Sequence, residues 1–408
     1  MGGMRVGIDV GGTFTDVVLI DVSGGRTLYA KVLTTPANPA EGVMRGIARI
    51  LEIAGVTMAH LDYVVHGHGT TIGTNALIER KGAPTGLVTT EGFRDVLEIA
   101  RIERPDEGLY DFNVDTPAPL VPRSLRLGVR ERIGAKGEIV TPLVEEDARR
   151  AARLFRENGI RTVAVSTLFS FKNPVHERRI REIFREEHPE ALVSLSSEIA
   201  PEFREFERTS TTVINAYLAP IVERYLGTLQ RLLAETYGEV EIRIMQASGG
   251  AVSAEMARSR AVATVNSGPA GGAVGSCFFG RLAGEERLIT IDMGGTSFDI
   301  GLVDDGKPRI TSDGKFEGYP VRVQQVDVHA IGAGGGSIAW IDRGGALCVG
   351  PRSAAAEPGP ACYGRGGELP TVTDANLVLG RIAPDYFLGG EMRLHPELAA
   401  SSNRRHDA

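Results

Sequence analysis

The chain has 408 residues, 42% hydrophobic and 24% charged, and its 45 Lys and Arg against 52 Asp and Glu leave a net charge of −7. This predicts a soluble globular chain with room for two or three packed cores, and it speaks against a nucleic-acid partner, because the arginines of 149–156 are interspersed with and flanked by Glu145, Glu146 and Glu157 as on a solvated helix face. No run approaches the ~20 apolar residues of a membrane helix, no signal-peptide core precedes the first strand, and Cys277, Cys348 and Cys362 form no C-x-x-C pair. The expectation is a cytoplasmic protein with no membrane contact, disulfide framework or structural zinc.

In chain order, Val6-Gly7-Ile8 enters Asp9-Val10-Gly11-Gly12-Thr13-Phe14-Thr15-Asp16 and Val17-Val18-Leu19-Ile20 leaves it, which reads as strand, glycine turn, strand. Thr27–Leu33 is a third strand, and the prolines at 36 and 39 precede an amphipathic helix over 40–54. Tyr63–Val65 is a strand running into His66-Gly67-His68-Gly69-Thr70-Thr71 before a helix over 74–81, so small polar residues stand at a strand end that feeds a helix N-terminus, a natural ligand edge. A strand over 85–89 and a short helix over 92–99 lead into the Pro- and Asp-rich stretch 101–122, read as an excursion covering one face of a cleft. Helix 143–158, strand 162–168, helix 174–187 and strand 192–196 come next, then two helices between Phe206 and Tyr237 separated at Ala219-Pro220.

The second half opens with strand 241–245, the turn Gln246–Gly250 and a small-residue helix from Asn266 onward. The hairpin pattern then returns: Asp9, Asp16 and Asp21 reappear 283 residues on as Asp292, Asp299 and Asp304, around Asp292-Met293-Gly294-Gly295-Thr296-Ser297-Phe298-Asp299. A strand over 322–328 follows, the chain beyond Trp340 is Gly-rich and irregular with one helix near 374–381, and 401–408 is a polar tail.

Each hairpin is an anion cradle in chemical terms. Gly11, Gly12, Gly294 and Gly295 let backbone amides approach a phosphate, Thr13 and Thr296 add hydroxyl donors, and Asp9 and Asp292 at the strand ends suit a hydrated divalent cation. Asp16 and Asp299 either assist that cation or cap their own turns. Asp327-x-His329 on a strand would put both side chains on one face, where with His68 they form a candidate second metal or substrate site; the alternative for each histidine, and for His66, is a hydrogen-bonded core residue. Gly332, Gly334 and Gly335 would let nucleotide or substrate lie against backbone, although the run lacks the placement of a dinucleotide fingerprint.

The paired hairpins resemble the phosphate motifs of the actin, Hsp70 and sugar kinase superfamily. Closer still, the chain resembles the hydantoinase A and 5-oxoprolinase family, which includes N-methylhydantoinase A and the ATP-binding subunits of acetone and acetophenone carboxylases. Besides the hairpins, the likeness rests on His68–Thr71 with Thr74–Gly82, Gly92–Ile99, Pro201–Thr212, Asn266–Gly272, Asp327–Ser337 and Pro358–Gly364. It implies an α/β fold of two duplicated ribonuclease-H-like domains with mixed sheets, one over 1–200 and a second, incomplete, over 201–400, joined through the small-residue helix as a hinge. It further implies that Asp9 and Asp292 are the catalytic acids, facing each other across a cleft and either holding hydrated Mg²⁺ on the phosphates of ATP or orienting the attacking group, that ATP phosphorylates the oxygen of a cyclic amide such as hydantoin or 5-oxoproline before hydrolysis, and that a hydantoinase B-type subunit is the partner. An ATP-dependent ketone carboxylase subunit and a non-catalytic ATP-driven switch are the alternatives. Two departures stand out: Ser196-Ser197-Glu198 replaces the Ser-His-Glu usual in the family, and relatives continue for a few hundred residues more, so a truncated, split or frame-shifted form is expected.

Overall fold

The structure is a computed structural model and describes residues 3–11, 14–35, 38–67, 73–103, 110–111, 113–114, 116–295, 298–355, 357–387, 390 and 392–404. The chain forms two compact units, Met1–Gly271 with Ile310–Gln325, and Gly272–Arg309 with Val326–Ala408.

The first unit begins with β1 (Met4–Val10), β2 (Phe14–Asp21) and β3 (Arg26–Leu33), an antiparallel meander. Strand alternation sends Val6, Ile8 and Val10 of β1 and Val17 and Leu19 of β2 into the core. Helix α1 (Pro39–Ala54) starts with proline in its first turn, ends on left-handed Gly55 and packs Val43, Ile47 and Ile50 against that apolar face. Gly46 permits the contact, since a methyl group there would lie 2.6 Å from Val17 Cγ2. Strand β4 (Leu61–Gly67) then pairs in parallel with β1. Three antiparallel strands, a helix and a strand parallel to the first is the ribonuclease-H-like arrangement.

A second, parallel sheet within this unit contains β5 (Thr85–Thr90), β6 (Arg126–Val129), β7 (Thr162–Ser166) and β8 (Leu192–Leu195) in the order β8-β7-β5-β6. Every residue of β5 and β7 is buried, as expected of a parallel sheet. Helices α2 (Glu145–Glu157) and α3 (Val175–Glu187) supply Phe155, Ile180, Ile183 and Phe184 to its core.

Helix α4 (Glu205–Tyr237) runs unbroken through Pro220, where two helices are expected from sequence. Packing explains the difference: Ile214, Leu218, Val222 and Leu226 join the core of the first sheet, while Val213 and Ala216 pack with Leu87 and Ala164 of the second. Burial on two sides outweighs the one backbone hydrogen bond that proline cannot donate. Strands β9 (Ile242–Met245) and β10 (Ala251–Ser253) complete the first sheet in the order β10-β9-β4-β1-β2-β3.

Helix α5 (Ser267–Ala283) carries the chain from the first unit into the second. There β11 (Leu288–Met293) and β12 (Phe298–Asp304) form the repeat hairpin, and β13 (Val328–Ile331) pairs antiparallel with β12. The strand expected over 322–328 is therefore split, with Asp327 in the break. The hairpin of β14 (Ser337–Ile341) and β15 (Leu347–Ser353) follows. Helix α6 (Val372–Val378) opens on a Thr371–Asp374 capping box, and α7 (Pro396–Arg404) takes in residues expected as polar tail. Cys362, with Leu377, Leu394 and Ala399, is fully buried in a small core, and burial beside Asp374 pushes its thiol pKa far up, so it is an inert hydrophobe.

Pro220 leaves the Ala216 carbonyl without its helical donor. Pro220→Ala is expected to raise the unfolding free energy by about 1–3 kcal/mol in urea titration; a loss of stability would show that the packing of α4 requires the proline.

Candidate functional site

In the first unit Asp9 stands exposed near the end of β1, across from Asp16 of β2 and beside Gly67, the last residue of β4. It lies at the carboxyl edge of two parallel strands, the edge at which open α/β sheets bind ligands. The turn closes with the Gly11 amide donating to Phe14 O at 2.8 Å, and Thr34 Oγ1 donates to Gly11 O at 2.9 Å while sharing a hydrogen bond with Thr15 Oγ1 at 3.0 Å. Gly12, Thr13 and His68 lie outside the described residues. The Asp16 carboxylate is ion-paired with Lys31 at 2.7 Å, and the ammonium also lies 5.1 Å from the centre of the Phe14 ring. His66 is a core residue, buried and 2.6 Å from the Tyr225 hydroxyl.

The second unit repeats the geometry. Asp292 pairs across the hairpin with Asp299 as Asp9 does with Asp16, and it too is exposed. Here the turn is buttressed from outside: Gly335 N–H donates to Gly294 O at 2.9 Å and Gly336 N–H to Gly295 O at 2.7 Å. The neighbouring amides are also engaged, Ala333 with Ile331 O, Gly334 with Ser337 Oγ and Ser337 with Gly334 O. A methyl group at Gly335 would lie 2.8 Å from Thr373 Oγ1, and one at Gly336 2.8 Å from Ser353 Oγ and 2.9 Å from Gly295 O. The glycine run thus lies against the backbone of the hairpin turn. Thr296 falls outside the described residues, and no bond involving the Gly332 amide is needed for this packing.

Asp327 sits between strands, its amide donating to Arg309 O at 2.8 Å and its carboxylate 3.3 Å from Arg309 Nε. His329 is exposed on β13 opposite Ile300. Because Ile300 pairs with Ile291, His329 shares the sheet face of Ile291, and Asp292 occupies the other face. Among the described residues no group of three His, Cys, Asp or Glu side chains is placed to hold a metal.

Two features of the first unit carry little sequence signal. One is a cavity of about 480 Å³ walled by Leu97, Leu120, Phe206, Val213 and Tyr319, with the Lys315–Glu103 ion pair in its lining. That size and apolar character suit a small organic molecule. Ala100, Arg101 and Ile102, beside it, are three successive non-glycine residues at positive φ, a strained turn tied down where Arg101 meets buried Glu207 at 2.5 Å. Tyr319, whose hydroxyl burial keeps protonated, donates to Ala118 O at 2.6 Å and accepts from Arg80 at 2.8 Å. The other is a buried polar network in which Glu177 accepts from Thr167 N–H, Ser197 N–H and Ser196 Oγ, and Arg208 binds the carbonyls of Thr167 and Glu202. Ser197, in the position expected to hold histidine, contributes its amide to this network while its buried hydroxyl makes no hydrogen bond.

No described helix is long and apolar enough to cross a membrane. Residues 5–188 match the family model of the hydantoinase/oxoprolinase N-terminal region, and 208–403 that of hydantoinase/oxoprolinase. The chain is 42% identical over 402 residues to caprolactamase subunit alpha of Pseudomonas jessenii, covering 98% of this chain and 58% of that one. It is 39% identical over 415 residues to the acetophenone carboxylase gamma subunit of Aromatoleum aromaticum, covering 98% and 56%. The crystal structure of the ATP-dependent caprolactamase from Pseudomonas jessenii superposes with a TM-score of 0.85 at 41% identity, again over 98% of this chain and 58% of that one. The chain therefore spans less than three-fifths of the length of these relatives.

The two glycine environments make a contrast that mutation can read. Gly336→Ala forces a shift against backbone and is expected to cost about 1–3 kcal/mol of stability, whereas Gly295→Ala meets none of the described residues within 4 Å and should change it by less than about 0.5 kcal/mol. Equal thermal shifts in the two variants would contradict the buttress.

Proposed function

The chain belongs to the hydantoinase/oxoprolinase family, and from that premise we propose that it is the ATP-binding part of an ATP-dependent cyclic amide hydrolase acting on a lactam or hydantoin. The observation that carries this reading is the repeated hairpin, in which the same aspartate stands exposed at the same strand end, across from the same second aspartate, in both units.

In this reading Asp9 with the Gly11-Gly12-Thr13 turn, and Asp292 with the Gly294-Gly295-Thr296 turn, hold phosphate groups and hydrated Mg²⁺. An exposed carboxylate preceding a glycine turn fits such an ion, which tolerates few direct protein ligands and keeps its waters. Bound ATP supplies the phosphoryl group that turns the amide oxygen into a leaving group. Water adds at the activated carbon, the ring C–N bond breaks as the nitrogen takes up a proton to leave an acyl phosphate, and a second water displaces phosphate, yielding the open-chain amino acid with ADP and phosphate. Phosphoryl transfer chiefly requires positioning and charge neutralisation, which two carboxylates, backbone amides and threonine hydroxyls provide. The Gly332–Ser337 run serves by fixing the second turn. A hydantoinase B-type subunit completes the enzyme.

The carboxylase reading is kept by the 39% identity to the acetophenone carboxylase gamma subunit. ADP formation measured with a hydantoinase B-type subunit present separates the two. Caprolactam, 5-oxoproline or hydantoin is expected to stimulate turnover, with one ring-opened product per ADP. Stimulation only by acetone or acetophenone with bicarbonate, giving a carboxylated product, would overturn the hydrolase reading.

A further inference from the structure

The cavity of about 480 Å³ lies within the first unit, although three distant stretches of chain build it. Helix α4 contributes Phe206, Ser210 and Val213, which share one face at i, i+4 and i+7. Leu97 and Leu120 come from the approach to the Pro- and Asp-rich excursion and from its end, and the third wall is the hairpin of Gly314–Phe316 and Tyr319–Val321. That hairpin is secured at several points. The Tyr319 hydroxyl is bonded to Ala118 O and Arg80, and the Arg322 amide donates to Thr211 Oγ1 at 2.8 Å. The walls are held by the protein's own contacts, so a ligand entering them has little left to order.

Ser210 is the polar group of the α4 wall. It is 3% exposed, and among the described residues its hydroxyl makes no hydrogen bond. The next two residues behave differently, since Thr211 and Thr212 donate to Glu207 O and Arg208 O at 2.7 Å. A buried hydroxyl left unbonded beside a cavity is satisfied by a ligand that brings an acceptor. The charged residues of the lining, all exposed, are Glu103, Lys315 and Glu317, and two carboxylates against one ammonium leave one negative charge. Lys315 is already paired with Glu103. An anion would meet repulsion there and would lose its hydration against apolar walls, costs that an uncharged molecule escapes. Ala100, also in the wall, begins the run of three non-glycine residues at positive φ that the Arg101–Glu207 pair ties down, a kind of strain found at ligand clamps.

We infer that this cavity receives the apolar body of an uncharged cyclic amide, with the Ser210 hydroxyl donating to its carbonyl oxygen, and that it rejects anionic rings such as 5-oxoproline. The identity of the ligand as a cyclic amide rests on the lactam reading; the preference for an uncharged carbonyl compound follows from the lining. A lactam of the caprolactam type turns its methylenes to Leu97, Phe206 and Val213 and its one polar group to Ser210. The volume is that of pockets for drug-sized molecules and leaves room for an apolar substituent on the ring.

The test is equilibrium binding of ε-caprolactam, 5-oxoproline and acetophenone to the whole chain by ligand-observed NMR, without ATP. ε-Caprolactam is expected to bind with a dissociation constant of about 1 mM or tighter, and 5-oxoproline at least about tenfold more weakly. Ser210→Ala, at a melting temperature no lower than wild type, should weaken ε-caprolactam binding about threefold to tenfold, and Leu97→Trp, which fills the space from another wall, should abolish it. Glu317→Lys should bring 5-oxoproline to within about threefold of ε-caprolactam. No binding of ε-caprolactam, binding indifferent to both Ser210→Ala and Leu97→Trp, 5-oxoproline bound as tightly as ε-caprolactam by the wild-type chain, or acetophenone bound in preference to it would each overturn the proposal. The binding assay reads no turnover, so the two readings fail separately. Ring binding that responds to these substitutions without lactam-stimulated ADP formation would sink the hydrolase reading and leave the site standing, whereas lactam-stimulated ADP formation indifferent to them would sink the site alone.

Discussion

The first half of the molecule depends on the alternation of one strand. Val6, Ile8 and Val10 bury one side of β1 under α1, and Asp9, between them in sequence, is thereby held out at the carboxyl edge beside Gly67. Neither outcome could occur without the other, because a one-residue slip would bury the carboxylate and expose the core. Parallel pairing with β4 fixes the register, and a carboxylate fixed at that edge is what a phosphate-bound cation requires.

The second half solves the same local problem with different supports. Its hairpin keeps the register and the aspartates, but where Thr34 braces the first turn, the backbone of Gly335 and Gly336 braces the second. Glycine is needed there because side chains would meet Thr373, Ser353 and the turn itself. His329, across the sheet from Asp292, belongs to the bare apolar face rather than to the hairpin's polar one. The repeat is therefore chemically conserved at its tip and structurally unlike in what surrounds it.

Much of this was legible in the sequence because its signals are local. The two hairpins, α1 with its terminal glycine, and the strands of the parallel sheet follow from short-range periodicity and turn residues. The family likeness read from short motifs is borne out by the comparisons. What escaped depends on residues far apart in the chain. Pro220 looks like a helix break until Val213 and Leu218 are seen to bury against two different sheets. The ion pair of Asp16 with Lys31 depends on the β2–β3 register. Asp327 looks like a strand residue until Arg309 claims both its amide and its carboxylate. The cavity combines the excursion beyond residue 101 with α4 and residues 315–320, segments that no window of sequence joins. The Glu177–Arg208 network likewise needs the fold to assemble it.

The central proposal is that the Asp9 hairpin and the Asp292 hairpin each bind phosphate. Calorimetric titration of the folded chain with Mg·ATP, repeated with Asp9→Asn and with Asp292→Asn, tests it most directly. The account predicts Mg·ATP binding with a dissociation constant of about 1–100 μM, weakened in each variant while the melting temperature holds. Binding that survives either substitution unchanged, or no binding by the folded wild-type chain, would contradict it.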